Sequence, residues 1–327
     1  MRLFLFAAAI WSLTPLYVNS SFAWSDHERL FTESLQPQLE FLPPLALMHL
    51  GPALDEPDGG MDRDLPASAD PENERKWMGG TEGFSSQGFR HMYFGGWKFT
   101  NPVATFQIPF KALGQAPNRV QETAREAREL FKNKEFLSAV RKLGWSLHYL
   151  EDLAQPFHST QLVHWKMAKW SALAHWPISD AMSHFIDETT RTISNYHLAM
   201  EGYVEHVLRQ PGIFAESPLN KALQDPESFA SVRFDSKLQP KALALELARA
   251  SVALAPELGE AEMAFFGEQY LEPAFDLRKD LGIPDYQAYA TRPDLAGSRA
   301  RFEKVIAKAL ANGVLASRAL VEWTLHP

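Results

Sequence analysis

Eleven residues, His148 to His158 (HYLEDLAQPFH), constrain this chain more than any other stretch. They place an imidazole at His148, a carboxylate four residues on at Asp152, and a second imidazole at His158 beyond a proline. Residues four apart on an α-helix lie one above the other, so His148 and Asp152 can aim at one ion. Phe136, Val140, Leu143, Leu147 and Leu150 recur at helical intervals and predict a helix over Glu135–Leu153. Pro156 stops it and turns the chain, which can swing His158 back across the same cavity. The pattern predicts a metal site. A plain alternative is a core hydrogen bond between His148 and Asp152 with His158 on a surface loop.

The start of the chain reads differently. Met1-Arg2 precedes an apolar run from Leu3 to Leu13, broken by Ser12, Thr14 and Pro15, and small residues lead to Ala23. Such a segment is too short to span a bilayer and has the form of a secretory signal peptide, with cleavage expected after Ala23. Residues 24–327 then form one domain, secreted or periplasmic. Without Arg2 this domain carries 31 basic and 40 acidic residues, a formal charge of −9. A large basic surface for nucleic acid is therefore not expected, and any phosphodiester chemistry needs metal ions to supply positive charge. The chain has no cysteine, so disulfides are excluded and zinc must be held by His and carboxylate.

Helical periodicity dominates. It predicts helices over His27–Gln36, ended or kinked by Pro37, then over Arg119–Lys132, Glu135–Leu153, Ser179–Leu208, Pro240–Ala255 and Asp294–Thr324. Gly51–Arg90, rich in Gly, Pro, Asp and Ser, reads as a long irregular loop near the metal cavity. Phe89–Phe99 is aromatic, carries His91 and is expected to re-enter the core. Residues 211–240 form a polar connection. Strand signals are weak, so the expected class is all-α, a single multi-helix domain.

A second pair with the same spacing stands at His184 and Glu188 (HFIDE), for which a solvated helix face is the alternative. The order Trp24, His27, a loop Asp, His91 before an aromatic residue, HYLEDLAQPFH and HFIDE resembles the zinc-dependent phospholipase C and S1/P1 nuclease superfamily, closer to its bacterial phospholipase C branch. The likeness covers Trp24 to Asn195, and the central motif is its most specific part. It implies an all-α domain holding three zinc ions. By that resemblance His148, Asp152, His91 and a loop Asp hold one zinc, and His158, His184 and Glu188 a second. The third takes the amino nitrogen and carbonyl oxygen of Trp24, His27, and Asp152 as a bridge. Only cleavage after Ala23 frees the Trp24 amine, so a form keeping residues 1–23 is expected to be poor in metal. Asp55 fits the loop position best and Asp58 second. His49, His164, His175, His197, His206 and His326 match no motif position and read as structural or surface residues.

The resemblance further implies attack of metal-activated water on a phosphodiester, with Asp55 as general base or water-orienter. Neither a Gly-rich phosphate loop nor a GxSxG elbow is present. Glu188, where the nuclease branch more often has Asp, favours a phospholipid or membrane-surface substrate over nucleic acid. Tyr93, Phe94, Trp97 and Phe99 can cage a cationic head group, stack a base or simply fill core. Two alternatives are an S1/P1-type single-strand nuclease and a zinc-stabilised helical binding protein without turnover. No protein partner is expected.

Overall fold

In the computed structural model, Phe136–Asp152 is the helix on which the others converge; it is α5 in the order below. The structure describes residues 24, 27–58, 90–94, 97–100, 105–108, 114–160, 162–174 and 176–326. The helices are α1 (His27–Leu39), α2 (Pro44–Met48), α3 (Leu50–Glu56), α4 (Ala116–Lys132), α5 (Phe136–Asp152), α6 (Pro156–Ser159), α7 (Ile178–Leu208), α8 (Pro218–Gln224), α9 (Pro240–Phe266), α10 (Tyr286–Thr291) and α11 (Ala296–Leu325). They make one all-α domain. The leader expected over residues 1–23 lies outside the described residues. Among those residues no helix is long and apolar enough to cross a membrane.

From Gly144 to Asp152 every residue of α5 is buried, as for a helix enclosed on all sides. Against one side α4 packs Ala116, Val120, Ala124 and Ala127, whose small side chains allow close approach. Ser146 ties the two helices by donating to the Val120 carbonyl at 2.9 Å. On another side α3 comes closest at Gly144, where an added Cβ would stand 2.7 Å from the Ala53 Cβ. Helix α11, buried almost throughout from Phe302 to Trp323, passes behind α5 and also packs on α9.

Two helices run past the ends expected of them, each through a proline. Pro37 lies inside α1 and Pro256 inside α9, which continues to Phe266 and stops at Gly267 with φ of 80°. An interior proline costs about 3 kcal/mol. Beyond Pro256, Leu258, Phe265 and Phe266 are all buried, each contributing roughly 1.5–3 kcal/mol, so packing outweighs the break. Three further departures appear. Residues 51–56, expected as loop, belong to α3, and Pro57–Asp58 continue it in a wider π-type turn, while residues 59–89 lie outside the description. The 211–240 connection contains α8. Trp97–Thr100 pairs antiparallel with Thr105–Ile108, Trp97 opposite Ile108, in strands of four residues that are too short for an alternating pattern to declare itself.

Candidate metal centre

Asp152, in the last turn of α5, occupies the middle of a buried cluster. Its Oδ2 lies 2.8 Å from His91 Nδ1 and 3.5 Å from His148 Nε2, while Oδ1 faces His27 Nε2 at 3.5 Å and His158 Nδ1 at 4.0 Å. The helical spacing of His148 and Asp152 thus produces the shared face that the sequence predicts. His148 Nδ1 donates to the Leu54 carbonyl at 2.7 Å, which leaves Nε2 as the nitrogen turned to the cluster, 3.0 Å from His91 Nδ1. Asp58, carried in by the turn after α3, places Oδ1 3.7 Å from His91 Nδ1 and 3.9 Å from His148 Nε2. Asp55, the preferred candidate from sequence, is half-buried and joins no potential metal-binding group found among the described residues. Asp58 takes that place because the helical turn, rather than a loop, sets which aspartate points inward.

His27 begins α1 and is sandwiched between two successive carboxylates of α5. Its Nδ1 lies 3.0 Å from Glu151 Oε2, and its Nε2 faces Asp152. The ring packs on His148 at 4.1 Å between centroids. Trp24, 1 % exposed, donates its indole N–H to the Glu151 carbonyl at 3.0 Å.

The proline turn works as the sequence predicts: α6 starts at Pro156 and returns His158 to the cavity, buried, with its Nδ1 3.3 Å from the His91 carbonyl. Its partners differ from those expected. His184 is exposed and Glu188 is half-buried, and neither enters a group with His158. His197 and Glu201, a later pair of identical spacing on α7, do so instead, with His197 Nε2 2.9 Å from Glu201 Oε1. Gln155 donates to that same Oε1 at 2.8 Å. His197 therefore departs from the structural reading given to the six remaining histidines. Of the others, His164 caps the 165–167 turn, His206 meets Gln287, His49 and His326 are exposed, and His175 lies outside the described residues. The available signal was the company each pair keeps: Tyr196, Ala199, Met200 and Tyr203 flank the later pair, Ser183, Asp187 and Thr189 the earlier one.

The buried groups His27/His148/Asp152, Asp58/His91/His148 and His158/His197/Glu201 can each hold a metal ion. A cation fits what these residues leave undone. His27 Nε2, Asp152 Oδ1, His158 Nε2 and His197 Nε2 are buried without a protein hydrogen bond, although buried polar atoms are nearly always satisfied. His197 Nε2 is close to Glu201 Oε1 but badly aligned for such a bond, as two ligands of one ion would be. Imidazole and carboxylate donors without thiolate suit zinc and its first-row neighbours.

Electrostatics agree for His148 and His158. Burial, followed by the neighbouring His27, pushes His148 well below its usual range, and burial brings His158 down to about 3. Both rings are neutral at pH 7 and offer lone pairs. Burial would raise Asp152, but the neighbouring His148, His91 and His27 rings hold it well below the usual carboxylate range. Burial would lower His27, yet the neighbouring Asp152 and Glu151 carboxylates raise it well above normal, so that without an ion it holds a proton that metal binding would displace.

Comparison with known protein families and with characterised proteins gives no match for this chain. The functional reading therefore rests on the site.

Proposed function

We propose that the protein is a secreted zinc-dependent phosphodiester hydrolase acting on phospholipid, of the phospholipase C type its sequence resembles. The observation that carries this reading is Asp152, whose two oxygens face separate histidine sets, with the His158/His197/Glu201 group beside them. In this reading Asp58, His91, His148 and Asp152 hold one ion. His158, His197 and Glu201 hold a second. Trp24, His27 and the bridging Asp152 hold a third. Zinc supplies there a Lewis acid that neutralises phosphoryl oxygens and makes water nucleophilic near neutral pH.

The chain's own groups prepare the site. His148 and His158 stay neutral through burial, the Leu54 carbonyl fixes the His148 tautomer, and Gln155 orients Glu201. In this reading Asp58, rather than Asp55, is the aspartate at the metal cluster, and no general-base role is assigned to Asp55. The closing pair still ends in glutamate, at Glu201 rather than Glu188, which keeps the preference for lipid. Phe41, Leu45 and Met48, exposed ahead of α3, are apolar side chains available for lipid contact.

The test uses protein beginning at Trp24, with phosphocholine release from lecithin measured beside digestion of single-stranded DNA, each with and without a zinc chelator. Chelator-sensitive lipid cleavage is expected. DNA cleavage alone overturns the substrate assignment in favour of a nuclease, and neither activity points to a metal-stabilised binding protein.

A further inference from the structure

The metal reading gives no role to Glu151, a carboxylate fully enclosed beside Asp152. Its Oε2 meets His27 Nδ1 at 3.0 Å, its Oε1 accepts from the Ser317 hydroxyl of α11 at 3.0 Å, and its main-chain oxygen accepts from the Trp24 indole at 3.0 Å. One residue thus touches both side chains of the amino-terminal arm. We infer that Glu151, braced by Ser317, is the positioning residue that orients His27 and Trp24 for metal binding.

The argument is geometric. A carboxylate only accepts hydrogen bonds, so the His27 nitrogen facing Glu151 is the one that carries hydrogen. In the neutral ring that would bind a metal, the lone pair then lies on Nε2, which faces Asp152 Oδ1 across 3.5 Å. Glu151 and Asp152 follow each other on α5, so they grip opposite edges of one ring and leave it little freedom to rotate. A metal-binding histidine commonly hands its second N–H to a carboxylate in this way, and loss of that partner typically costs 10–100-fold in metal affinity. Ser317 occupies the other oxygen of Glu151 and prevents the carboxylate from turning away. The helix that continues the arm is further anchored by apolar packing such as Phe31 against Gly313 and by hydrogen bonds that join Ser34 to the Leu223 carbonyl and to Arg318.

This inference rests on the proposed zinc site, and its test separates the two. Zinc-loaded wild type, Glu151→Ala, Glu151→Gln and Ser317→Ala, all beginning at Trp24, are titrated with a chelator while zinc release is followed by a metal-sensitive dye. Melting temperatures are taken with and without zinc. Glu151→Ala is expected to release one class of zinc about 10–100-fold more readily and to lose part of the zinc-dependent rise in Tm. Ser317→Ala shifts the same class by a smaller factor. Glu151→Gln, which keeps a carbonyl acceptor for Nδ1–H, returns close to wild type. A purely structural Glu151 would lower Tm equally with and without zinc and leave the release profile unchanged, and that result overturns the inference. If Glu151→Ala does not fold, a wild-type release profile in Ser317→Ala overturns it. Wild type that takes up no zinc overturns the metal reading itself.

Discussion

Asp152 Oδ2 stands 2.8 Å from His91 Nδ1 with neither residue exposed to solvent. Because the other oxygen of Asp152 faces His27, this carboxylate is the joint of the cluster. Asp152→Asn keeps the shape, removes the charge and presents an N–H to one of the two histidine sets. Zinc content is expected to fall to about one ion per chain, the one held by His158, His197 and Glu201. Elemental analysis checks this, and wild-type content would contradict the bridging role.

The two His/Glu pairs of α7 make opposite predictions. His184→Ala and Glu188→Ala alter a largely solvated face and should leave zinc content unchanged and stability within about 0.5 kcal/mol. His197→Ala and Glu201→Ala should lose zinc and hydrolysis together. The reverse outcome would restore the earlier pair as ligands.

Gly144 holds α3 against α5, and with it the Leu54 carbonyl that fixes His148. Gly144→Ala sets a methyl 2.7 Å from the Ala53 Cβ. The expected destabilisation is about 1–3 kcal/mol by chemical denaturation, with weaker zinc retention as Leu54 and Asp58 move outward. An unchanged midpoint would show that α3 yields without consequence.

Glu262 of α9 is fully buried with neither oxygen hydrogen-bonded, and burial raises its pKa well above normal. In the native state it keeps a proton that the unfolded chain sheds above the ordinary carboxylate range. Its contribution to stability is therefore present at low pH and lost as pH rises through the native value. Glu262→Met, similar in size, should stabilise by about 1–3 kcal/mol at pH 8 and by less at pH 4. Urea midpoints at the two pH values measure the difference, and a pH-independent effect would contradict the sign.

The helices and the central motif were legible because both depend on spacing along one element. His148, Asp152 and the Pro156 turn needed only local geometry. The choice between His184/Glu188 and His197/Glu201 was different, since both have helical spacing on one helix. Thirteen residues at 3.6 per turn set the pairs roughly 140° apart, so only one can face α6. Which one does so depends on how α7 packs, a tertiary fact that its apolar flanks signal. The resemblance puts Asp55 ahead of Asp58 on a stretch that reads as loop, whereas α3 runs up to Pro57 and carries Asp58 inward. Glu151 was unreadable for a related reason: its partners Trp24, His27 and Ser317 come from opposite ends of the chain.

The most direct test of the account is the metal content of protein purified with Trp24 as its first residue, measured by elemental mass spectrometry without added chelator. The proposed ligand sets predict about three zinc ions per chain, lost together with lecithin hydrolysis on chelation and regained with it on zinc addition. Less than one equivalent of any divalent metal, with stability indifferent to zinc, would contradict the account.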